Sequence, residues 1–208
     1  ETDLCLRIYD RGMRVVYEPR AVIDHFEFAS SGQREEAIAQ QEKNIRLLKR
    51  KHEVALRTHW LAAAENILRG RSRGAIKGRI LFLDDFVPIP TYGSGCPRAR
   101  EMLGALHRAG YFVTLWPRCQ EVNWDAVYRA LPPEIEVVLG RPLSELGDFL
   151  KERLPYYDTL IVSRPHNMKA LQGVRASAPE LFRGIKIIYD AEAVVALREI
   201  GMAAVAGR

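Results

Sequence analysis

Two patterns of apolar and polar residues divide the chain. From Gly78 onward, short apolar runs alternate with amphipathic stretches. RILFLDD, YFVTLWP, IEVVLG, YDTLIVSRP and GIKIIYDAE read as strands, and PRAREMLGALHRAG, WDAVYRAL, LSELGDFLKERL, HNMKALQGVRA and AVVALREIGM as helices. Strands that are apolar throughout need cover on both faces, and helices between successive strands supply it. The pattern predicts an α/β fold with a Rossmann-like, doubly wound parallel sheet of about five strands.

Before Gly78 the grammar differs. Leu4, Ile8 and Tyr9 fall at helical spacing, Arg7 and Arg11 suit the negative end of a helix, and Gly12 suits its stop. MRVVYEP then reads as a strand closed by Pro19, and AVIDHFEF as a second short extended run before the turn-forming Ser30, Ser31 and Gly32. From Gln33 to about Leu68 the period is helical, with Ile38, Ile45, Leu48, Ala55, Leu56 and Trp60 available for one side, but the helix is too polar to be buried whole. RGRSRGAIKG, from Arg69 to Gly78, mixes glycine with positive charge, has no apolar period and reads as a boundary. The expected organisation is an opening segment 1–32, a basic helical segment and linker 33–77, and a Rossmann-like domain 78–208.

Composition narrows the class. With 48% hydrophobic and 27% charged residues in 208, the chain has the makeup of a folded domain with a sizeable core. Cys5, Cys96 and Cys119 are too scattered and odd in number for a disulfide framework or a zinc site, so free thiols in a reducing compartment, the cytoplasm, are expected. No apolar run approaches the roughly 20 residues of a membrane span, which predicts a soluble or at most peripheral protein.

The net charge of +5 invites a polyanion reading, but the excess is local. Between Lys43 and Arg79 stand Lys43, Arg46, Lys49, Arg50, Lys51, Arg57, Arg69, Arg71, Arg73, Lys77 and Arg79, against only Glu53 and Glu65. A solvated helix face and linker is the plain reading. Peripheral contact of segment 43–79 with membrane phosphates is the alternative, and no specific nucleic-acid partner is expected.

Candidate chemistry follows from the sheet, because ligands of such sheets sit beyond the carboxyl ends of the strands. Asp84 and Asp85 follow the first strand. The loop PIPTYGSGCPR comes next, in which Gly93, Ser94 and Gly95 permit a tight turn, Pro97 suits the first helical position and Arg98 follows. Ser163, Arg164, His166 and Asn167 follow the fourth strand, and Asp190 and Glu192 the fifth. Carboxylates, an imidazole and an arginine at one rim can bind polyhydroxyl groups and move a proton. The competing reading is that Asp84 and Asp190 cap helices and His166 merely starts one. At the other end of the chain, Glu1 stands at a helix mouth, where the dipole favours a carboxylate that can accept a proton, and Asp3 can orient it or satisfy helix amides. His25, beside Asp24, is a candidate ligand for a divalent metal.

ETDLCLRIYDRGMRVVYEPRAVIDHFEFASSG, about residues 1–32, resembles the C-terminal end of family 2 glycosyltransferases of the GT-A fold, in which an acidic pair opens this helix, a GxxVVYxP strand follows, and a His with trailing Ser closes the site. The helix beyond, with Asn44 and His59-Trp60, looks like the tail of those enzymes. The resemblance implies that Glu1 is the base that deprotonates the acceptor hydroxyl, and that His25 helps bind a divalent Mg or Mn on the nucleotide diphosphate. RILFLDDFVPIPTYGSGCPRAREMLGALHRAGYFVTLWP, within 78–208, is similar to the N-terminal half of a GT-B glycosyltransferase of the family 4 type, which uses no metal cofactor. It implies that the loop after the first strand and the rim near SRPHN and DAEA, with Asp85, Gly93, Ser94, Gly95, Arg98, Arg164, His166, Asp190 and Glu192, face the acceptor.

Neither a DxD motif nor a second, donor-binding Rossmann domain is present in this sequence. The expectation is therefore the junction of a tandem glycosyltransferase of the cell-surface polysaccharide type, using a nucleotide-sugar donor and a glycan acceptor and turning over poorly alone. Two rivals belong to other classes. A signalling receiver domain needs a phosphoacceptor Asp after the third strand, and IEVVLGRP offers none. A noncatalytic binding or scaffolding module needs only the basic segment, to hold nucleic acid or anionic lipid.

Overall fold

The structure is a computed structural model of the chain and describes residues 1–16, 21–24, 34–72, 76–93, 95–153, 155–191 and 195–207. The chain divides into two compact units, Glu1–Asn66 and Ile67–Arg208.

The second unit is an α/β layer structure. Five parallel strands, β1 (Arg79–Asp84), β2 (Phe112–Pro117), β3 (Glu136–Val137), β4 (Thr159–Ser163) and β5 (Lys186–Asp190), lie in the order β3-β2-β1-β4-β5. The helices between them are α4 (Gly95–Arg108), α5 (Trp124–Ala130), α6 (Leu146–Glu152) and α7 (Pro165–Ser177), and α8 (Val195–Val205) follows β5. This arrangement is compatible with a Rossmann-like fold.

The two-residue period of a strand explains both cores. Ile80 and Phe82 point to one side with Val113, Leu115, Leu103 of α4 and Val127 of α5. Leu81 and Leu83 point to the other with Trp116, Leu146, Phe149 and Leu150 of α6 and Leu171 of α7. Trp116 and Phe149 meet edge to face at 4.5 Å between ring centroids. Burial is complete only at the centre: Ile188 and Tyr189 on the edge strand β5 remain exposed. Leu68, ahead of β1, packs against the α6/α7 side.

Several expected elements come out shorter or earlier. IEVVLG supplies a strand of only Glu136–Val137, since beyond Val138 the chain turns at Gly140 with φ +78°. LSELGDFLKERL opens with a 3-10 turn, Leu143–Glu145, before α6. Helix α4 starts two residues before Pro97, at Gly95.

In the first unit, α1 (Thr2–Asp10) forms where its apolar spacing predicts. The strand expected over MRVVYEP does not form at residues 13–16, nor the one over AVIDHFEF at residues 21–24; the remainder of both runs lies outside the described residues. Val16, Val22 and Ile23 are highly exposed there. Strand propensity is favourable only where the side chains are covered, and Val16, Val22 and Ile23 gain little cover here.

The long helix expected from Gln33 to Leu68 is also corrected. It runs as α2 (Arg34–Lys51), breaks at His52 and resumes only as the single turn α3 (Glu53–Leu56). His52 leaves helical geometry at φ −114°, ψ 26° because its buried ring is bonded to Asp3 of α1, a tertiary contact that overrides local helix preference. No helix among the described residues is long and apolar enough to cross a membrane.

Candidate functional site

The sheet sets the site. Strand order reverses direction between β1 and β4, the point at which two crossovers part and at which sheets of this kind take a ligand beyond their carboxyl ends. Leu83 pairs with Val162, and Ser163 with Asp190, so the ends of β1, β4 and β5 come level at that edge. Asp84 and Asp85 are fixed there by backbone pairing beyond the strand: the amides of Arg118 and Cys119 donate to their carbonyls, each at 2.7 Å.

Helix α7 brings the rest. Pro165 occupies its first turn, where a missing N–H costs nothing, and Arg164 is the N-cap. His166 and Asn167 therefore sit on the opening turn, over the end of β1. His166 Nε2 lies 2.5 Å from Asp85 Oδ1, and the same oxygen accepts from Asn167 Nδ2 at 3.0 Å. Arg164 Nε donates to Asp84 Oδ1 at 3.0 Å and stands 3.4 Å from Asp85 Oδ2. Asn167 Nδ2 also donates to the Ser163 carbonyl, and its Oδ1 is buried with no hydrogen-bond partner among the described residues.

Two features of this cluster run against local preference. Arg164 has φ +75° and ψ 147°, the one non-glycine residue with positive φ among those described, in a region that side chains avoid. Burial pushes the Asp84 carboxyl above its ordinary range, although the Asp85 amide and Arg164 pull the other way. Strain and a buried acid, held together beside a crevice, mark a site whose geometry is overdetermined by its surroundings.

At the outer side, both Arg98 terminal nitrogens donate to the two Asp190 oxygens, at 2.7 and 2.9 Å, joining α4 to the end of β5. Gly93 takes φ +135°, a conformation reserved for glycine, and a Cβ there would meet open space; backbone shape, not close packing, requires the glycine. Gly95 starts α4. Ser94 and Glu192 lie outside the described residues. The structure thus brings Asp85, Arg164 and His166 into one cluster, joins Arg98 to Asp190, and places the Gly93 loop between β1 and α4.

Sequence reasoning named Asp84 and Asn167 at the strand ends without ranking them as site residues. The signal for Asn167 is its place in the first turn of a helix that opens on an X-Pro step.

In the first unit, Glu1 is the exposed N-cap of α1 and makes no side-chain cap hydrogen bond. It lines a groove of about 570 Å³ with Thr2, Asp3, Asn44, Leu48 and Lys51. Asp3 does not bond to Glu1. Its carboxylate receives His52 Nε2 and Lys51 Nζ, each at 2.7 Å, and Arg7 Nε at 3.1 Å, and the hydrogen bonds from His52 and Lys51 lower its pKa to about 2. His25 lies outside the described residues, and among those described no three His, Cys, Asp or Glu side chains converge as a metal site requires.

Fold and site together define an α/β protein whose parallel sheet carries an Asp-His-Arg-Asn cluster at its topological switch point. No known protein family matches the sequence, and neither does any curated protein.

Proposed function

We propose that residues 78–208 are the acceptor-side half of a glycosyltransferase that moves a sugar from a nucleotide diphosphate donor to a glycan hydroxyl, and that the chain spans the junction with a second, GT-A-like transferase unit. The observation that carries this reading is the Asp85–His166 pair, backed by Arg164 and Asn167, at the carboxyl edge between β1 and β4. A crevice lined by a carboxylate, an imidazole and guanidinium groups suits a polyhydroxyl ligand, which presents many donors and acceptors and little charge. The Gly93 loop and the Arg98–Asp190 bridge flank that crevice and shape its rim.

Within the first unit, the resemblance gives Glu1 the role of proton acceptor for the acceptor hydroxyl, and the groove it lines is open enough to admit one. A divalent Mg or Mn, assigned by the resemblance to His25, supplies charge neutralisation of the leaving diphosphate when bound. In this reading, catalysis needs a donor-holding partner domain, and the 208 residues alone turn over poorly.

The test is a titration of the labelled chain with glycan acceptors and nucleotide sugars, followed by amide NMR. Glycans are expected to perturb the amides of Asp85, Arg164 and His166 at millimolar concentrations, and Asp85→Ala to abolish the effect. Perturbations confined to other surfaces would refute the assignment.

A second reading, a noncatalytic module for nucleic acid or anionic lipid, rests on one observation. Lys43, Arg46 and Arg50 gather with Leu47 along α2 and have no acidic partner within 4.0 Å among the described residues. Polyanion binding that weakens steeply with salt, with no response to saccharides, would favour it.

A further inference from the structure

The polar groups of the crevice are not equivalent, and their pairing singles one out. Asp84 is occupied by its neighbouring amide and by Arg164, and Asp190 by both arms of Arg98. Asp85 receives His166 and Asn167 on one oxygen and faces Arg164 with the other. Asp85 and Asp190 thus engage fixed donors with both oxygens and Asp84 with its Oδ1, and each serves to orient those donors. His166 differs. Its Nε2 is taken by Asp85, while the side chain is 45% exposed and Nδ1 has no partner among the described residues.

A carboxylate only accepts, so the ring nitrogen it faces carries the hydrogen, and in the neutral ring it is then Nδ1 that holds the lone pair. Asn167 donates to the same Asp85 oxygen, and the buried Asn167 amide is itself anchored on the Ser163 carbonyl. The ring therefore cannot easily swing without breaking a shared set of bonds. The strained backbone of Arg164, immediately before Pro165, fixes where the first turn of α7 begins and hence where the ring stands.

From this geometry we infer that His166 is a proton acceptor for the hydroxyl of a bound polyhydroxyl ligand, with Asp85 as its positioning residue. The inference rests on the acceptor-side reading for the identity of the hydroxyl, but the state of the ring stands independently of it. In the transfer step, the hydroxyl oxygen bonds to the anomeric carbon of the nucleotide-diphosphate sugar, and its proton passes to Nδ1. The bond from that carbon to the diphosphate breaks, the diphosphate leaving with the electron pair. The resulting imidazolium faces the Asp85 carboxylate until Nδ1 returns the proton to water.

Imidazole nitrogen correlations on the 15N-labelled chain test the ring first. The expected result is a protonated Nε2 whose N–H resonance is protected from solvent exchange, and a lone-pair Nδ1. Asp85→Ala should remove the protection; if that variant does not fold, the isosteric Asp85→Asn, a weaker acceptor, should reduce it. A native ring protonated at Nδ1 and bare at Nε2 would overturn the proposal while leaving the acceptor-side reading intact.

Titration with methyl hexopyranosides is the second arm. A shift at Nδ1 larger than at Nε2 supports the proposal. Saccharides that leave the whole crevice unperturbed overturn the acceptor-side reading, and with it the hydroxyl assigned here. In transfer-competent protein, His166→Gln should lower kcat about 10²–10⁴-fold with the acceptor KM little changed, and an unchanged kcat would overturn the assignment.

Discussion

Arg98 and Asp190 form a two-pronged bridge, 2.7 and 2.9 Å long, between the first turn of α4 and the last residue of β5. The sequence separates them by nearly half the chain. The contact matters because β5 is an edge strand with exposed Ile188 and Tyr189, so few apolar contacts hold its end.

Arg98→Ala should therefore loosen β5 selectively. Arg98 is half exposed, which limits the global cost to about 1 kcal/mol, whereas hydrogen-exchange protection of Ile188–Asp190 should fall well beyond that of β1. Arg98→Lys should restore little, since an ammonium cannot reproduce the planar fork. Equal loss of protection across all strands would contradict a local role.

Glu136 is the charged hub of the α6/α7 side. It accepts from Arg153 at 2.8 and 3.1 Å, from Arg71 at 2.9 Å and from Thr114 at 2.8 Å, while Tyr157 donates to Thr114 and receives Arg153. Burial alone would raise its pKa, but the two guanidinium groups outweigh burial and hold it at about 2. Glu136→Gln should cost about 2–3 kcal/mol at neutral pH, because it leaves two guanidinium groups short of a counter-charge. Since the folded value lies below the unfolded one, this contribution is complete above about pH 4.5 and fades toward pH 2. Urea unfolding at stepped pH measures both, and an E136Q variant whose stability falls with acid as steeply as the parent's would rule the mechanism out.

Arg164 separates strain from charge. Arg164→Ala and Arg164→Gly both remove the guanidinium that pairs with Asp84, but only glycine accepts φ +75° without penalty. The glycine variant should be the more stable by about 1 kcal/mol. Thermal unfolding of the pair decides it, and an alanine variant equal to or better than glycine would show that the backbone is unstrained.

Asp3 governs the first unit in acid. Its pKa of about 2 lies below the ordinary 3.8, so its bonds to His52 and Lys51 contribute fully at neutral pH and are lost as pH falls between those two values. Amide resonances of α1 and of Leu48–His52 should weaken over that window in the parent chain. In Asp3→Asn the same resonances should show no such acid step, with the contact already weakened at pH 7. An acid step of undiminished size in D3N would assign it to other groups.

RILFLDD announced β1 because six residues that are buried or nearly so leave no other economical placement, and the same logic placed β2, β4 and the helices between. Asp85, Arg164 and His166 were legible as site candidates because a parallel sheet puts every strand end on one edge, whereas Asp84 and Asn167 were legible only as strand-end residues. That Arg98 meets Asp190, that Asp85 bonds to His166, and that Glu136 meets Arg71 and Arg153 were not legible, since side chains many residues apart have no signature in local period.

What the sequence by itself determined is the class: alternating apolar runs and amphipathic helices can bury their backbone polar groups and apolar faces only in a covered parallel sheet. What the tertiary structure alone decided is which charges meet and where local preference yields. MRVVY has strand propensity but shows no strand at residues 13–16, where Val15 and Val16 stay exposed instead of packing on a sheet face. The helix of α2 stops at His52, because a buried imidazole bound to Asp3 outweighs one more helical turn. In both cases the deciding free energy comes from a contact distant in sequence, or from its absence.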